Sequence, residues 1–133
     1  MPHVSRIKLP NKEKGEIITL FNSVMTEIKD STQMDSFLNT ILTPTEKLML
    51  AKRLAVVVLI ERGFNDSEIS SALNITRMTI SKIRYHYQLH QEGYAIALNK
   101  TNSLTMKKEL KSLLESFLKY AVSSGLGGKI PKL

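Results

Sequence analysis

The sequence predicts an all-α fold, and three observations support this prediction. Apolar residues recur at intervals of three and four in most segments, which is the spacing of one face of a helix. Two capping-box signals, Thr43 with Glu46 and Asn65 with Glu68, place a short polar side chain three residues before a glutamate. Gly63, between these two signals, is typical of a helix end.

The N-terminal part is expected to consist of a basic arm and two helices. Residues 1–14 carry two prolines and four Lys/Arg against one acid, so they are expected to be flexible. A helix is predicted from about Gly15 to Lys29, and a shorter one after a cap at Ser31 or Thr32. The arm could lie along DNA phosphates or in a minor groove, and it could equally be an unstructured solubilising tail. Its basic residues are Arg6, Lys8, Lys12 and Lys14.

The third predicted helix begins after Thr43 and has an unusually apolar second half. Pro44 suits the first helical position, and the helix is expected to run to Arg62 and stop at Gly63. Residues 54–60, LAVVVLI, are apolar all round, so they should be buried on every side. One small domain rarely provides that much cover. We therefore expect a partner subunit to provide it.

Residues 66–84 have the pattern of a helix-turn-helix. Two short amphipathic helices meet at Asn74, and asparagine tolerates the positive φ that this turn requires. Thr76 is a favourable N-cap for the second helix. The apolar residues of the two helices and the corner are Ile69, Leu73, Ile75, Ile80 and Ile83.

The C-terminal part is expected to contain one further clear helix. The second helix of the corner could continue past Tyr87 toward Leu89 or beyond. Residues 94–98, YAIAL, are ambiguous between a helical turn and a short strand, and residues 99–103 are expected to form a loop. An amphipathic helix is predicted over residues 104–122, followed by a loose tail at 125–133. The sequence therefore divides into the arm (1–14), a helical domain (15–98) and a C-terminal extension (99–133).

Composition excludes several classes of protein. The net charge of +7 favours a polyanionic partner. The chain has no cysteine, which excludes disulfides and cysteine-ligated zinc and fits a reducing cytoplasm, where the chain would be nucleoid-associated when bound to DNA. Its longest apolar run has seven residues, too few for a membrane span, and no signal peptide is evident. Without a glycine-rich phosphate loop or carboxylates paired near a histidine, we expect neither an enzyme nor a cofactor.

Residues 42–82 contain a characteristic series of capping, apolar and basic residues. They are Leu42, Thr43, Pro44, Glu46, Ala51, Arg53, Gly63, Glu68, Leu73, Thr79, Ile80, Ser81 and Lys82. With this series, the segment resembles the tryptophan repressor superfamily. The resemblance implies an all-helical, intertwined homodimer that binds double-stranded operator DNA through a helix-turn-helix, here residues 66–84 of domain 15–98.

Two positions depart from the tryptophan-binding members of that superfamily. Those members hold the ligand between two arginines. Arg53 matches the first, but the second position is Lys82, which lacks the planar guanidinium fork. The glycine that leaves room for the indole is Ile83 here. Tryptophan is therefore not expected as corepressor. Arg53 could hold another small acidic effector, although a salt bridge or a phosphate contact is the simpler interpretation.

The second helix of the corner is the candidate DNA-reading element. It carries three basic residues and no acid over residues 76–87, and arginine or lysine can bind guanine edges in the major groove. The alternative is a helical hairpin with a solvated basic face. The predicted DNA-binding residues are Thr76, Arg77, Met78, Thr79, Ser81, Lys82 and Arg84.

Other charged or aromatic clusters have simpler interpretations. His86 and His90 lie four residues apart on one helix face, but no third ligand is evident, so no metal site is expected. The aromatic side chains of residues 85–87 could pack at a dimer seam or touch the DNA backbone, and packing is the better interpretation. The last helix could be read as membrane-binding or as a DNA clamp, but packing on the core is the better interpretation. Its basic residues are Lys107, Lys108, Lys111 and Lys119.

The sequence thus predicts a dimeric transcriptional regulator, most simply a repressor that reads a palindromic operator. Two alternatives remain. The chain could be the DNA-recognition component of a transposase-like system, or a helical module that binds RNA or protein.

Overall fold

The computed structural model describes residues 7–123, apart from the side chains of residues 104–106 and 120–123. Over this range the chain is all-α, as predicted, with seven helices and no strand. The predicted tail at 125–133 and Arg6 of the predicted arm lie outside the described residues. The helices are α1 (Asn11–Glu27), α2 (Ser31–Ile41), α3 (Pro44–Glu61), α4 (Asp66–Leu73), α5 (Arg77–Leu89), α6 (Gln91–Thr101) and α7 (Leu104–Ser123).

The chain divides into two compact units, residues 1–47 and 48–133. In the first unit α1 begins at Asn11, four residues before the predicted start, and Lys14 N–H donates to the Pro10 carbonyl at 3.0 Å. Lys12 and Lys14, which we had assigned to the arm, therefore belong to the first turn of a helix. The reason is that lysine and glutamate are good helix formers even where no apolar pattern is visible.

Neither α1 nor α2 contains a buried residue. Asp30, one residue before the predicted cap, accepts a hydrogen bond from Gln33 N–H at 2.9 Å and caps α2. Phe21 of α1 and Phe37 of α2 lie with ring centroids 6.4 Å apart. The apolar faces of these two helices thus remain largely exposed to solvent within one chain.

The predicted capping box at the start of α3 is present. Thr43 N–H donates to Glu46 Oε2 at 2.8 Å, and Glu46 N–H donates to Thr43 Oγ1 at 3.1 Å. The helix ends at Glu61, one residue before the predicted end. Gly63 follows with φ of 87°, a left-handed conformation that glycine adopts without steric cost.

The second unit is built around the apolar half of α3. Residues 56–59 are buried within the single chain, so our expectation that a partner subunit must cover them is wrong. Leu54, by contrast, is 41% exposed. The C-terminal helix α7 provides part of the cover, and the rings of Phe64 and Phe117 meet edge to face at 4.9 Å. The buried core cluster contains Val56, Leu59, Phe64, Ile69, Ile80, Leu114 and Phe117.

Helix α6 differs most from the sequence prediction. Residues 94–98 are helical, and so are residues 99–101 of the predicted loop. Only Asn102 and Ser103 separate α6 from α7, where Asn102 N–H donates to the Asn99 carbonyl at 3.2 Å. The polar residues 99–101 form the largely exposed last turn of α6. Their polarity, from which the loop was predicted, is equally compatible with a solvent-exposed helical turn. In the part of the chain that the structure describes, no helix is both long and apolar enough to cross a membrane.

Candidate DNA-binding site

Helices α4 and α5 form the predicted helix-turn-helix. The capping box before α4 is closed by two hydrogen bonds of 2.9 Å, one in each direction between Asn65 and Glu68. Asn74 adopts the predicted left-handed conformation, with φ of 52° and ψ of 55°. Thr76 caps α5 by accepting a hydrogen bond from Thr79 N–H at 3.2 Å. Local sequence therefore defines both helix starts and the turn between them.

The turn is closed by a side chain as well as by backbone. Ser70 Oγ donates to the Ile75 carbonyl at 2.6 Å, and Ile75 N–H donates to the Ser70 carbonyl at 3.2 Å. Ser70 is small enough to sit at the helix crossing and polar enough to satisfy the turn's carbonyl group, which would otherwise lose a hydrogen bond. These reciprocal hydrogen bonds fix the end of α4 relative to the start of α5.

An apolar cluster on the buried side of α4 and α5 holds the two helices together. Ile69 of α4 and Ile80 of α5 are completely buried. Leu73, Ile75 and Ile83 are partly buried and pack against that core. Ile83 thus completes the core of the helix-turn-helix, as we had argued from its size and branching.

The opposite face of α5 is exposed and basic. Six of the seven predicted DNA-binding residues are exposed, and Met78 is the most exposed large apolar side chain of the helix at 69%. Arg84 differs, since it is half-buried. The six exposed residues are Thr76, Arg77, Met78, Thr79, Ser81 and Lys82.

Two arginines of α5 contact the first turn of α4. Arg84 forms an ion pair with Asp66, and Arg77 donates a hydrogen bond to Ser67 Oγ at 3.0 Å. Asp66 and Ser67 were not among our predicted site residues. Both residue types are common in the first turn of a helix, where they stabilise the helix start. In the sequence that is sufficient reason for their presence, so nothing indicated that they also contact the arginines of α5. Their partners lie 18 and 10 residues away, a separation that no helical spacing reveals.

The far half of α5 is tied to α3 and α6. Tyr87 Oη donates to Glu61 Oε1 at 2.6 Å, and the Tyr87 ring meets the Tyr94 ring edge to face at 5.3 Å. The hydrogen bond to Glu61, followed by burial and the negative charge of Glu61, raises the pKa of Tyr87 above its ordinary value. Tyr85, in contrast, is exposed.

A cleft lies between the end of α5 and α6. Its polar residues include His86, His90 and Tyr94, and its apolar wall includes Leu54 and Leu89. Neither Arg53 nor Lys82 lines this cleft. Arg53 is exposed on α3, and none of the described acidic side chains forms an ion pair with it. The described residues contain no group of three or more His, Asp or Glu side chains arranged to hold a metal ion.

These features define a helix-turn-helix protein with a basic second helix. The family described as Trp repressor protein matches residues 16–102, about two thirds of the chain. The chain therefore belongs to the Trp repressor family, whose members are DNA-binding transcriptional regulators and not enzymes. The match ends at Asn102, so α7 lies beyond it. Searches of curated proteins and of solved structures gave no match.

Proposed function

We propose that this protein is a sequence-specific repressor that binds a palindromic operator as a homodimer and reads it with α5. The observation that carries the proposal is the exposed basic face of α5, held at a fixed corner by the Ile69–Ile80 core. In helix-turn-helix proteins the second helix enters the major groove. Two such helices related by a twofold axis would lie about 34 Å apart and read successive major grooves.

The six exposed predicted residues at the start of α5 have three kinds of role in this proposal. Arg77 and Lys82 bind guanine O6 and N7, and Met78 contacts a thymine methyl group. The hydroxyl groups of Thr76, Thr79 and Ser81 bind base edges or phosphates. The backbone N–H groups at the start of α5 add donors to a phosphate. Phosphate contacts position the protein, whereas the contacts to base edges give specificity.

Arg84 has a different role from the exposed basic residues. Its ion pair with Asp66 links the middle of α5 to the beginning of α4, so it helps to orient the recognition helix. A guanidinium has five N–H donors, so Arg84 can keep this pair and still donate to a phosphate. We therefore assign it to positioning and phosphate binding, without a part in base selection.

The exposed apolar residues of the first unit support a homodimer. Several large apolar side chains left exposed on two neighbouring helices are typical of a protein–protein interface, because water-exposed apolar area is unfavourable. Since α1 and α2 bury none of their residues within one chain, a second copy is the natural cover. The large exposed apolar residues of α1 and α2 are Ile17, Ile18, Leu20, Phe21, Val24 and Ile41.

The proposal does not include tryptophan as effector. Ile83 packs against the buried core, at the position where the tryptophan-binding members have the glycine that leaves room for an indole. Lys82 also lacks the planar fork that would bind a carboxylate through two parallel hydrogen bonds. Another small acidic effector at Arg53 is compatible with the exposed position of that residue.

The proposal is tested by selecting bound sequences from a random pool of double-stranded DNA and then measuring affinity over a range of salt concentrations. Arg77→Ala together with Lys82→Ala should weaken binding to the selected site and relax its sequence preference. Each lost bidentate base contact should cost about 1–3 kcal/mol. A matched control, Lys107→Ala with Lys108→Ala, removes the same charge from α7 and should preserve the sequence preference.

The same measurements separate the alternatives. Unchanged affinity and salt dependence in the Arg77/Lys82 variant would refute recognition by α5. Selection of a palindrome found near the protein's own promoter supports the repressor, whereas terminal inverted repeats would indicate a transposase-like system. Preferential binding of RNA would favour an RNA-binding module. Light scattering that shows a stable monomer at micromolar concentration would exclude the dimer.

A further inference from the structure

Two histidines lie side by side at the junction between α5 and α6. His86 is in the last turn of α5, and His90 is the single residue between the two helices. His90 N–H donates to the His86 carbonyl at 3.0 Å, so the backbone between them keeps its helical register. The ring centroids are 4.5 Å apart with an angle of 37° between the ring planes, and both side chains are exposed in the same cleft.

Tyr94 is placed to orient one of these rings. Its hydroxyl oxygen lies 3.4 Å from His86 Nδ1, and its ring stands at 87° to the imidazole. When Nδ1 carries the proton, it can donate to Tyr94 Oη, which leaves the Nε2 lone pair free. Metal-binding histidines are usually oriented in this way by an outer hydrogen-bond partner.

We propose that His86 and His90 form a two-point chelating site for a divalent transition-metal ion such as Zn²⁺, Ni²⁺ or Cu²⁺. Imidazole nitrogen suits these ions, and it binds zinc at about 2.0–2.1 Å. Two such bonds to one ion require the nitrogens to lie roughly 3 Å apart. Rings with centroids 4.5 Å apart reach that separation by small side-chain rotations, which exposed side chains make readily.

The site is open, which distinguishes it from a structural zinc centre. Because the described part of the chain offers no third histidine or carboxylate within ligating distance, water or an external ligand completes the coordination. From sequence we had rejected a metal because three protein ligands were lacking. The proposal differs from that expectation because the two adjacent rings offer two ligands at one point, with the remaining positions left to water or an external ligand. A bound ion would tie the last turn of α5 to the segment that leads into α6.

The test is a titration of the purified full-length chain, without DNA, with Zn²⁺, Ni²⁺ or Cu²⁺ at one fixed pH near neutrality, because metal affinity depends on pH. His86→Ala and His90→Ala should each weaken binding by at least the roughly 10–100-fold that loss of an outer partner typically costs. Affinity should be highest for Cu²⁺. His3→Ala, which removes the chain's third histidine, is the matched control and should leave the affinity unchanged.

A second measurement keeps the proposal testable if an alanine variant does not fold. In the wild-type protein, adding Zn²⁺ should shift the imidazole NMR resonances of His86 and His90 together. Equal metal affinity in the wild type and in folded His86 or His90 variants would overturn the site. So would loss of binding in the His3 variant alone, or the absence of any imidazole shift. None of these outcomes bears on DNA binding, so the two proposals fail independently.

Discussion

Ser70 donates a hydrogen bond from its hydroxyl to the carbonyl oxygen of Ile75, with 2.6 Å between the two oxygens. The bond spans the turn of the helix-turn-helix, and Ile75 returns one from its own N–H to the Ser70 carbonyl. Ser70→Ala should lower the free energy of unfolding by about 1 kcal/mol, because one part-buried hydrogen bond is lost. Urea denaturation followed by circular dichroism measures this change.

Ser71→Ala is the matched control for that variant. Ser71 is the next residue of α4 and is exposed, so the substitution changes helix propensity by the same amount without touching the turn. Equal stability of the two variants would show that the Ser70 hydroxyl contributes nothing to the corner.

Helix α7 is part of the core, and this can be tested by truncating one buried side chain. Leu114 is 2% exposed, and Leu114→Ala should cost about 3 kcal/mol through lost burial and the cavity left behind. Leu113→Ala removes the same atoms from a neighbouring position that is 42% exposed, and should cost less than about 1 kcal/mol. Similar losses in chemical denaturation would mean that α7 does not pack as described.

The ion pair between Arg84 and Asp66 should contribute to stability more than to sequence preference. Both side chains are more than a third exposed, so solvent screening limits their coupling to about 0.5 kcal/mol in a double-mutant cycle with Asp66→Ala and Arg84→Ala. The pair of Lys111 and Glu115 on α7, at 3.8 Å and more exposed, is a control with a smaller expected coupling, because lysine precedes glutamate, which is the less favourable order on a helix.

The Arg84→Ala variant also tests whether Arg84 positions the recognition helix or reads a base. Arg84→Ala should reduce the affinity for all DNA sequences by a similar factor and leave the preferred sequence unchanged. A changed base preference at one position of the selected site would instead show that Arg84 reads a base edge directly.

The free energy of unfolding should depend on pH in the alkaline range because of Tyr87. Its pKa is raised above the ordinary value of 10.0, chiefly by the hydrogen bond to Glu61. A raised folded-state pKa means that the protonated phenol stabilises the fold. This contribution is complete below the unfolded-state pKa and disappears as the pH rises through the folded-state pKa.

Tyrosinate absorbance during an alkaline titration measures this effect. Glu61→Gln should move the Tyr87 titration toward lower pH, and Tyr87→Phe should remove it altogether. Tyr85→Phe, which removes an exposed tyrosine of the same helix, is the control and should leave that component in place. A titration curve that Glu61→Gln does not alter would contradict the role of the hydrogen bond.

Local signals in the sequence were sufficient to predict the helix-turn-helix. The capping boxes, the positive φ of Asn74 and the N-cap at Thr76 all depend on residues within four positions of one another. Side-chain size and spacing likewise predicted that Ile83 packs in the core. These features follow from backbone chemistry that a short segment determines by itself.

Features that depend on distant residues could not be predicted in the same way. The amphipathic pattern of α7 did predict that this helix packs on the core. It could not indicate which element α7 covers, because its contacts with the buried half of α3 join residues more than 50 positions apart. The contacts of Arg84 with Asp66 and of Tyr87 with Glu61 are also tertiary. The predicted loop at 99–103 was right only for Asn102 and Ser103, because the polar residues 99–101 are compatible with an exposed helical turn.

The solvent-exposed apolar faces of α1 and α2 link the amount of working regulator to the concentration of the chain in the cell. If a second copy covers them, assembly depends on the square of the monomer concentration, and so does the amount of species competent to bind a palindrome. At low expression the uncovered helices would be open to proteolysis, since little buries them. The amount of working regulator would then rise more steeply than in proportion to the amount of chain that the cell makes.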